Sequence, residues 1–202
     1  MSRHFRYGGA LFAVLLAFMA ILPGAARAAP SNGPWSVTLY VGPATTKYFG
    51  AVFTSGRMQP SAVMVGLAGD GRIAYLGEGV SFAAEFQLTQ YGFGHANTTV
   101  SFGIGFQANA PFGLEHTRFS VYDGPSYAVD PPYTSIGYHN IIYRAFRDKY
   151  ENYIAIEYAV ALSSDSDWDA VVRMFHRSGA WGVYTDGDDD GLAFGLGLKY
   201  RF

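Results

Sequence analysis

Residues 191–202 read GLAFGLGLKYRF, and this segment decides the fold. Large apolar and aromatic residues alternate with small or cationic ones, and a period of two predicts a β-strand. The large set comprises Leu192, Phe194, Leu196, Leu198, Tyr200 and Phe202. Small and charged residues suit the narrow interior of a barrel, whereas large apolar side chains suit lipid. The segment therefore predicts a membrane strand with its large residues outward.

Seven earlier segments share this alternation. The predicted strands cover residues 35–46, 62–76, 80–91, 98–108, 116–123, 150–162, 168–178 and 191–202. Charged residues fall on the parity opposite to the large apolar side chains: Asp70, Arg72, Glu85, Arg118, Glu157, Asp169, Arg173, Lys199 and Arg201. The pattern predicts an all-β fold, an eight-stranded antiparallel transmembrane β-barrel of the outer-membrane type. Alternation alone also fits a soluble sandwich with the two faces reversed.

Both ends of the chain favour the membrane barrel. Arg3 and Arg6 precede an apolar run over 8–22, and Ala26-Arg27-Ala28 forms a small-x-small cleavage site. These features predict a signal peptide over residues 1–28 and a barrel over 29–202, because a transmembrane helix would need a longer apolar run. At the other end, Tyr200-x-Phe202 resembles the C-terminal signature of bacterial outer-membrane barrels. We therefore expect export to the outer membrane of a Gram-negative cell.

The connections between the predicted strands fit the same topology. Short connections cover 77–79, 109–115 and 163–167, and the opposite ones cover 47–61, 92–97, 124–149 and 179–190. Three of these four opposite connections are long. Outer-membrane barrels have short periplasmic turns and longer outer loops. The sequence thus predicts that both termini lie at the periplasmic end.

Composition excludes several classes of function. The 202 residues carry a formal net charge of −2 and include no cysteine. Nucleic-acid binders show a basic stripe, and thiol or disulfide chemistry needs cysteine, so neither is expected. His95, His116 and His139 stand apart from one another and lack metal-ligand spacing. No cofactor is expected, and the acidic run at 186–190 has only partial calcium-loop spacing, without a closing Glu.

Three polar residues carry candidate chemistry. His176 and Ser178 continue the outward parity of the seventh strand, and Asp190 lies on the outward parity of the eighth. A histidine, a serine and an acid at adjacent strand ends predict a hydrolytic site, with Ser178 as nucleophile, His176 as general base and Asp190 as orienter. The backbone N–H of Gly179 or Ala180 is the expected oxyanion donor. Rival acids are Asp186, Asp188 and Asp189. In the other interpretation, His176 and Ser178 are polar rim residues.

Residues 172–178, VRMFHRS, followed by a Gly-rich link and a terminal YRF, resemble the lipid A 3-O-deacylases, the PagL-like acyloxyacyl hydrolases. The resemblance implies an outer-membrane esterase that hydrolyses an acyl ester of lipopolysaccharide, with lipid A as its partner. Two positions depart from the family pattern. Gly179 stands where the family usually has the Asn that helps form the oxyanion hole, and Asp190 stands where it usually has Glu. Alignment from the C-terminus places Gly191 at the acid position instead.

Two functions without catalysis remain open from the sequence. The first is a small barrel with a structural role or with partners bound through its loops. The second is a narrow pore for small hydrophobic molecules, against which the expected filling of an eight-stranded lumen argues.

Overall fold

Eight antiparallel strands close into a barrel in the computed structural model of the chain, which describes residues 33–45, 62–77, 79–92, 97–129, 149–178 and 191–202. The strands are β1 (Trp35–Thr45), β2 (Ala62–Gly77), β3 (Val80–Gly92), β4 (Asn97–Asn109), β5 (Thr117–Ala128), β6 (Tyr150–Ala161), β7 (Trp168–Ser178) and β8 (Gly191–Arg201). Each strand pairs with the next, and β8 pairs back with β1. The predicted fold class is confirmed. The predicted signal peptide lies outside the described residues.

The side chains alternate across the barrel wall as predicted. Five large apolar residues on the outer surface are at least half exposed: Phe86, Phe102, Phe106, Val172 and Leu196. Leu192 and Tyr200, which were also predicted to face outward, are buried. Six charged residues of the opposite parity are at most 5% exposed: Asp70, Glu85, Glu157, Asp169, Arg173 and Lys199. A soluble sandwich would reverse these faces, so this arrangement is that of a barrel with an apolar surface and a polar interior.

One network of ion pairs and hydrogen bonds joins all eight strands inside the lumen. Each strand contributes at least one member, in order Ser36, Asp70, Glu85, Gln107, Tyr122, Glu157, Arg173 and Lys199. Arg173 binds Glu85 at 2.5 Å and Glu157 at 2.8 Å. Lys199 bridges Glu157 and Asp70, the latter at 2.9 Å. The network fills the middle of the lumen, as an eight-stranded barrel requires.

Aromatic residues fill the lumen beside this network. The ring of Tyr40 meets that of Phe175 edge-on at a centroid distance of 6.0 Å, and the Arg173 guanidinium lies 5.4 Å from the centre of the same tyrosine ring. A Cβ atom at Gly66 would collide with the Tyr40 ring, and one at Gly195 would lie 2.9 Å from its Cδ2. Glycine in β2 and β8 therefore makes room for the tyrosine of the strand between them.

The two ends of the barrel differ. The turn end carries the start of β1, the end of β8 and three short connections. One of these connections contains a single 3-10 turn, Pro111–Gly113. The loop end carries the other four connections, most of which lie outside the described residues, including the predicted loop over 179–190. Among the described residues, no helix is long and apolar enough to span a membrane.

The fifth strand is longer than the sequence predicted, and this is the main correction to the strand boundaries. The expected strand ended at Asp123 and a loop began at Gly124, but β5 continues to Ala128. Gly124 pairs with Tyr153, and Pro125 pairs with Asn152. A Gly-Pro pair usually marks a turn, but here the neighbouring strands keep the backbone extended. At its start the strand excludes His116, whose φ of 62° is left-handed.

Removing the cation at the centre of the lumen tests how far the barrel depends on the network. Arg173→Met leaves Glu85 and Glu157 without their shared cation, and breaking a buried ion pair costs about 3–5 kcal/mol. We expect the refolded protein to convert to its unfolded gel mobility at lower temperature and at lower urea concentration than the wild type. Arg118→Met is the matched control, because Arg118 is partly exposed and its pair with Asp169 lies near the turn end.

Arg173→Lys keeps the positive charge but loses the forked geometry, so its stability should lie between those of the wild type and Arg173→Met. Equal unfolding midpoints for Arg173→Met and the wild type would contradict the assigned role of the network.

Candidate active site

A group of polar residues interrupts the apolar outer surface at the loop end of β5, β6 and β7. His176 and Ser178 lie on the outer face of β7, and the outer residues before them, Ala170 and Val172, are exposed and apolar. Asp123 on β5 and Asn152 on β6 lie on the same outer face. These four residues, Asp123, Asn152, His176 and Ser178, are named the outer polar patch.

Strand register places the patch in two adjacent rows across the barrel wall. Asp123 pairs with Ile154, which pairs with His176, which pairs with Leu192. In the next row toward the loop end, Asn152 pairs directly with Ser178. Directly paired cross-strand residues have Cβ atoms about 4.5–5.5 Å apart, so Asn152 and Ser178 are immediate neighbours. Asp123 and His176 are two strands apart, which is about 9–10 Å between their backbones at the usual strand spacing.

The patch lies at the edge of the apolar band. Trp168 at the turn end packs against Tyr200 at 4.9 Å, and at the loop end Tyr127 packs against Tyr150 at 5.0 Å. From Trp168 to Ser178 the strand runs about 33 Å, which at a tilt of about 40° is about 25 Å along the barrel axis. That distance equals the height of a typical lipid-facing band, so Ser178 lies where hydrocarbon gives way to polar groups.

His176 is held by the backbone of the next strand. Its Nδ1 lies 2.8 Å from the carbonyl oxygen of Gly191, and its side chain is half-buried. A carbonyl can only accept, so Nδ1 carries the proton in this bond and Nε2 is the basic nitrogen of the neutral ring. The imidazole is thereby fixed in the tautomer that a general base for a hydroxyl requires.

Ser178 is less accessible than the outer residues below it. It is 8% exposed, whereas Val172 on the same face is 52% exposed. Residues two apart on a strand are separated by about 6.5–7 Å, which allows an imidazole and a hydroxyl on one face to approach each other. The structure therefore brings the predicted base and nucleophile to the same outer face. Asp190, the rival acids at 186–189 and the expected donors Gly179 and Ala180 lie outside the described residues.

The sequence interpretation missed Asn152 and Asp123. The Nδ2 atom of Asn152 donates to Oδ1 of Asp123 at 2.7 Å. Both residues continue the outward parity of their strands, since Asn152 precedes Ile154 by two and Asp123 follows Val121 by two. A polar residue on an otherwise apolar parity was thus the available signal. Because the predicted fifth strand ended at Asp123, the pairing of this end of β5 with β6 was not predicted.

A polar cavity of about 380 Å³ lies at the other end of the barrel. Its lining includes His116, Arg118 and Arg201, and both arginines pair with the buried Asp169 beneath it. The cavity is separated from the outer polar patch by the length of the barrel. Within the described ranges, no cluster of three or more His, Asp or Glu side chains is arranged to hold a metal ion.

Comparisons with known proteins show the fold and no family. No protein-family model matches the chain, and the search of curated proteins found no match. Among solved structures, the outer-membrane enzyme PagL matches with a TM-score of 0.56 and 11% identity, over 83% of this chain and 99% of its own. Neisserial surface protein A matches at 0.46 and 12% identity, over 84% of this chain and 97% of its own. The likeness to PagL is one of fold, that of an eight-stranded outer-membrane barrel.

Proposed function

We propose that this protein is an outer-membrane esterase that hydrolyses an acyl ester of lipid A in the outer leaflet. The observation that carries the proposal is the His176 Nδ1 bond to the Gly191 carbonyl, with Ser178 two residues further on the same outer face. A ring held in this tautomer beside a serine is arranged as a general base and its nucleophile. The signal peptide proposed for residues 1–28 would deliver the chain to the periplasm.

The position of the patch supports a lipid ester as substrate. Ser178 lies at the boundary between the apolar band and the polar rim, which is where acyl chains join a headgroup. A histidine and a serine on a lipid-facing surface are costly unless they lie at this interface or bond to each other. The lipid of the outer leaflet in Gram-negative bacteria is lipopolysaccharide, and its acyl chains are held by esters. The fold that the chain shares with the outer-membrane enzyme PagL agrees with such a site.

Catalysis would proceed through an acyl-enzyme. Ser178 Oγ attacks the ester carbonyl carbon while its proton passes to His176 Nε2, and the carbonyl electron pair moves onto oxygen. The intermediate collapses, the sugar oxygen leaves with the proton from His176, and the acyl chain stays on the serine. A water molecule, deprotonated by the same imidazole, then releases the fatty acid and restores the serine.

A non-catalytic barrel is the second candidate, and the burial of Ser178 favours it. A serine that is 8% exposed must be uncovered before a lipid ester can reach it. In that case the outer polar patch would be a hydrogen-bonded rim, and the protein would act structurally or through its loops.

Mass spectrometry of lipid A separates the two candidates. With the full chain expressed in the outer membrane of a Gram-negative host, we expect lipid A to lose one acyl chain. Ser178→Ala should abolish this loss because it removes the nucleophile. Ser164→Ala should match the wild type, since Ser164 is an exposed serine at the turn end. Unchanged lipid A with the wild type would exclude the esterase for that lipid, and deacylation by Ser178→Ala would exclude the assigned nucleophile.

The role of the acid is tested by Asp190→Asn. The Gly191 carbonyl already accepts the Nδ1 proton. The role expected for Asp190 is therefore to stabilise the positive charge of the imidazolium. A charge interaction screened by solvent contributes about 1 kcal/mol, so we expect kcat to fall by about fivefold. A serine-protease triad loses about 10⁴-fold when its Asp becomes Asn. A loss of that size here would show that Asp190 sets the tautomer, and the same assay on Asp186→Asn serves as the control.

A further inference from the structure

We propose that Asn152 supplies the side-chain amide that donates to the oxyanion at Ser178, and that Asp123 positions this amide. The inference rests on the proposed esterase function. Asn152 lies on β6, whereas the base and the nucleophile lie on β7. The four residues of the outer polar patch would then form one functional unit, with two catalytic side chains on β7, one on β6 and a positioning residue on β5.

The need for an amide follows from the chemistry at Ser178. When its Oγ bonds to the ester carbon, negative charge develops on the former carbonyl oxygen, and donors placed beforehand stabilise that charge. The residue after the serine is Gly179, which has no side chain and offers only its backbone N–H. A side-chain amide must therefore come from another part of the chain.

Asn152 is placed to provide that donor. It pairs directly with Ser178 across the β6–β7 ladder, and both side chains point to the outer face. The oxyanion forms within one bond of the carbon that Ser178 attacks, so it develops beside the serine Oγ. An asparagine side chain about 5 Å away at Cβ can reach that oxygen, because its amide extends beyond Cβ toward the same face.

Asp123 fixes the orientation of the amide. A carboxylate only accepts, so the group of Asn152 that faces Asp123 at 2.7 Å is the NH₂ and not the carbonyl. One N–H of this group serves the carboxylate, and an amide nitrogen carries two. The second N–H is left for another acceptor, and the bond to Asp123 restricts rotation of the amide before the reaction begins. An orientation set in advance is what makes an oxyanion donor effective.

The placement of these groups on the lipid-facing side also calls for a reason. Asp123 and Asn152 occupy outward positions of β5 and β6 next to Val121 and Ile154. Polar groups at such positions are costly in hydrocarbon, and the cost falls toward the interface. A hydrogen bond between them offsets part of that cost. That bond does not explain why Asn152 lies directly beside the serine, and the catalytic role accounts for this position.

The test measures two reactions of the refolded full-length protein in detergent micelles. One is hydrolysis of a p-nitrophenyl acyl ester, and the other is the rate of covalent labelling by a fluorophosphonate, whose phosphoryl oxygen mimics the oxyanion. Loss of an oxyanion donor lowers kcat by about 10²–10³-fold, so Asn152→Ala should show that loss with KM changed by less than about threefold. Its labelling rate should fall in parallel.

Two further variants separate catalysis from structure. Asn152→Asp keeps the shape but replaces the donor by an acceptor, so its kcat should be at least as low as that of Asn152→Ala. Asp123→Asn removes the charged acceptor that orients the amide and should lower kcat by about tenfold, the effect of about 1.4 kcal/mol. Asn109→Ala, an exposed asparagine at the turn end, should behave as the wild type. The heat-dependent gel mobility of every variant reports whether the barrel has formed.

The outcomes distinguish this inference from the proposed function. If Ser178→Ala loses hydrolysis and labelling while folded Asn152→Ala retains both within about threefold, Asn152 is not the donor and the esterase stands. If the wild type neither hydrolyses the ester nor reacts with the fluorophosphonate, the esterase and the role of Asn152 are both overturned. Parallel loss in folded Asn152→Ala and Asn152→Asp supports the assignment.

Discussion

The ionic network in the lumen is the constraint on which the rest of the barrel depends. Closing eight strands leaves an interior that only side chains can fill, and each strand contributes at least one member of the network around Arg173, Glu157 and Lys199. Charges buried at this depth are tolerated only when they are paired and hydrogen-bonded. The network therefore restricts which strands can be neighbours and in which register, since a slip of one residue would turn its charges toward lipid.

A filled lumen also determines where chemistry can take place. The middle of the barrel is occupied by buried side chains such as Arg173 and Tyr40. A reaction would therefore take place on the outer surface, most of which is apolar. The outer polar patch is a local exception at the end of the band, where a polar group is tolerated and where the ester bonds of a lipid lie. The rigid interior and the surface site are thus two consequences of the same alternation.

The site is built from contacts between strands. The Gly191 carbonyl of β8 sets the tautomer of His176 on β7, and Asp123 on β5 holds the amide of Asn152 on β6. Each partner comes from a neighbouring strand at a height fixed by the ladder. At the imidazole, a backbone carbonyl accepts the Nδ1 proton as a carboxylate would.

The sequence by itself determined the barrel, the number of strands, and the side of the wall on which His176 and Ser178 lie, because a period of two specifies the face of every residue in a strand. It also predicted six of the buried charges, which share one parity. Arg72, Arg118 and Arg201 share that parity but are only partly buried. Only the tertiary structure decided which residues of neighbouring strands contact each other. The pairing of Asn152 with Ser178 depends on the register between β6 and β7, and the Gly191 contact depends on that between β7 and β8. Register comes from the closed ladder as a whole, so no single strand encodes it.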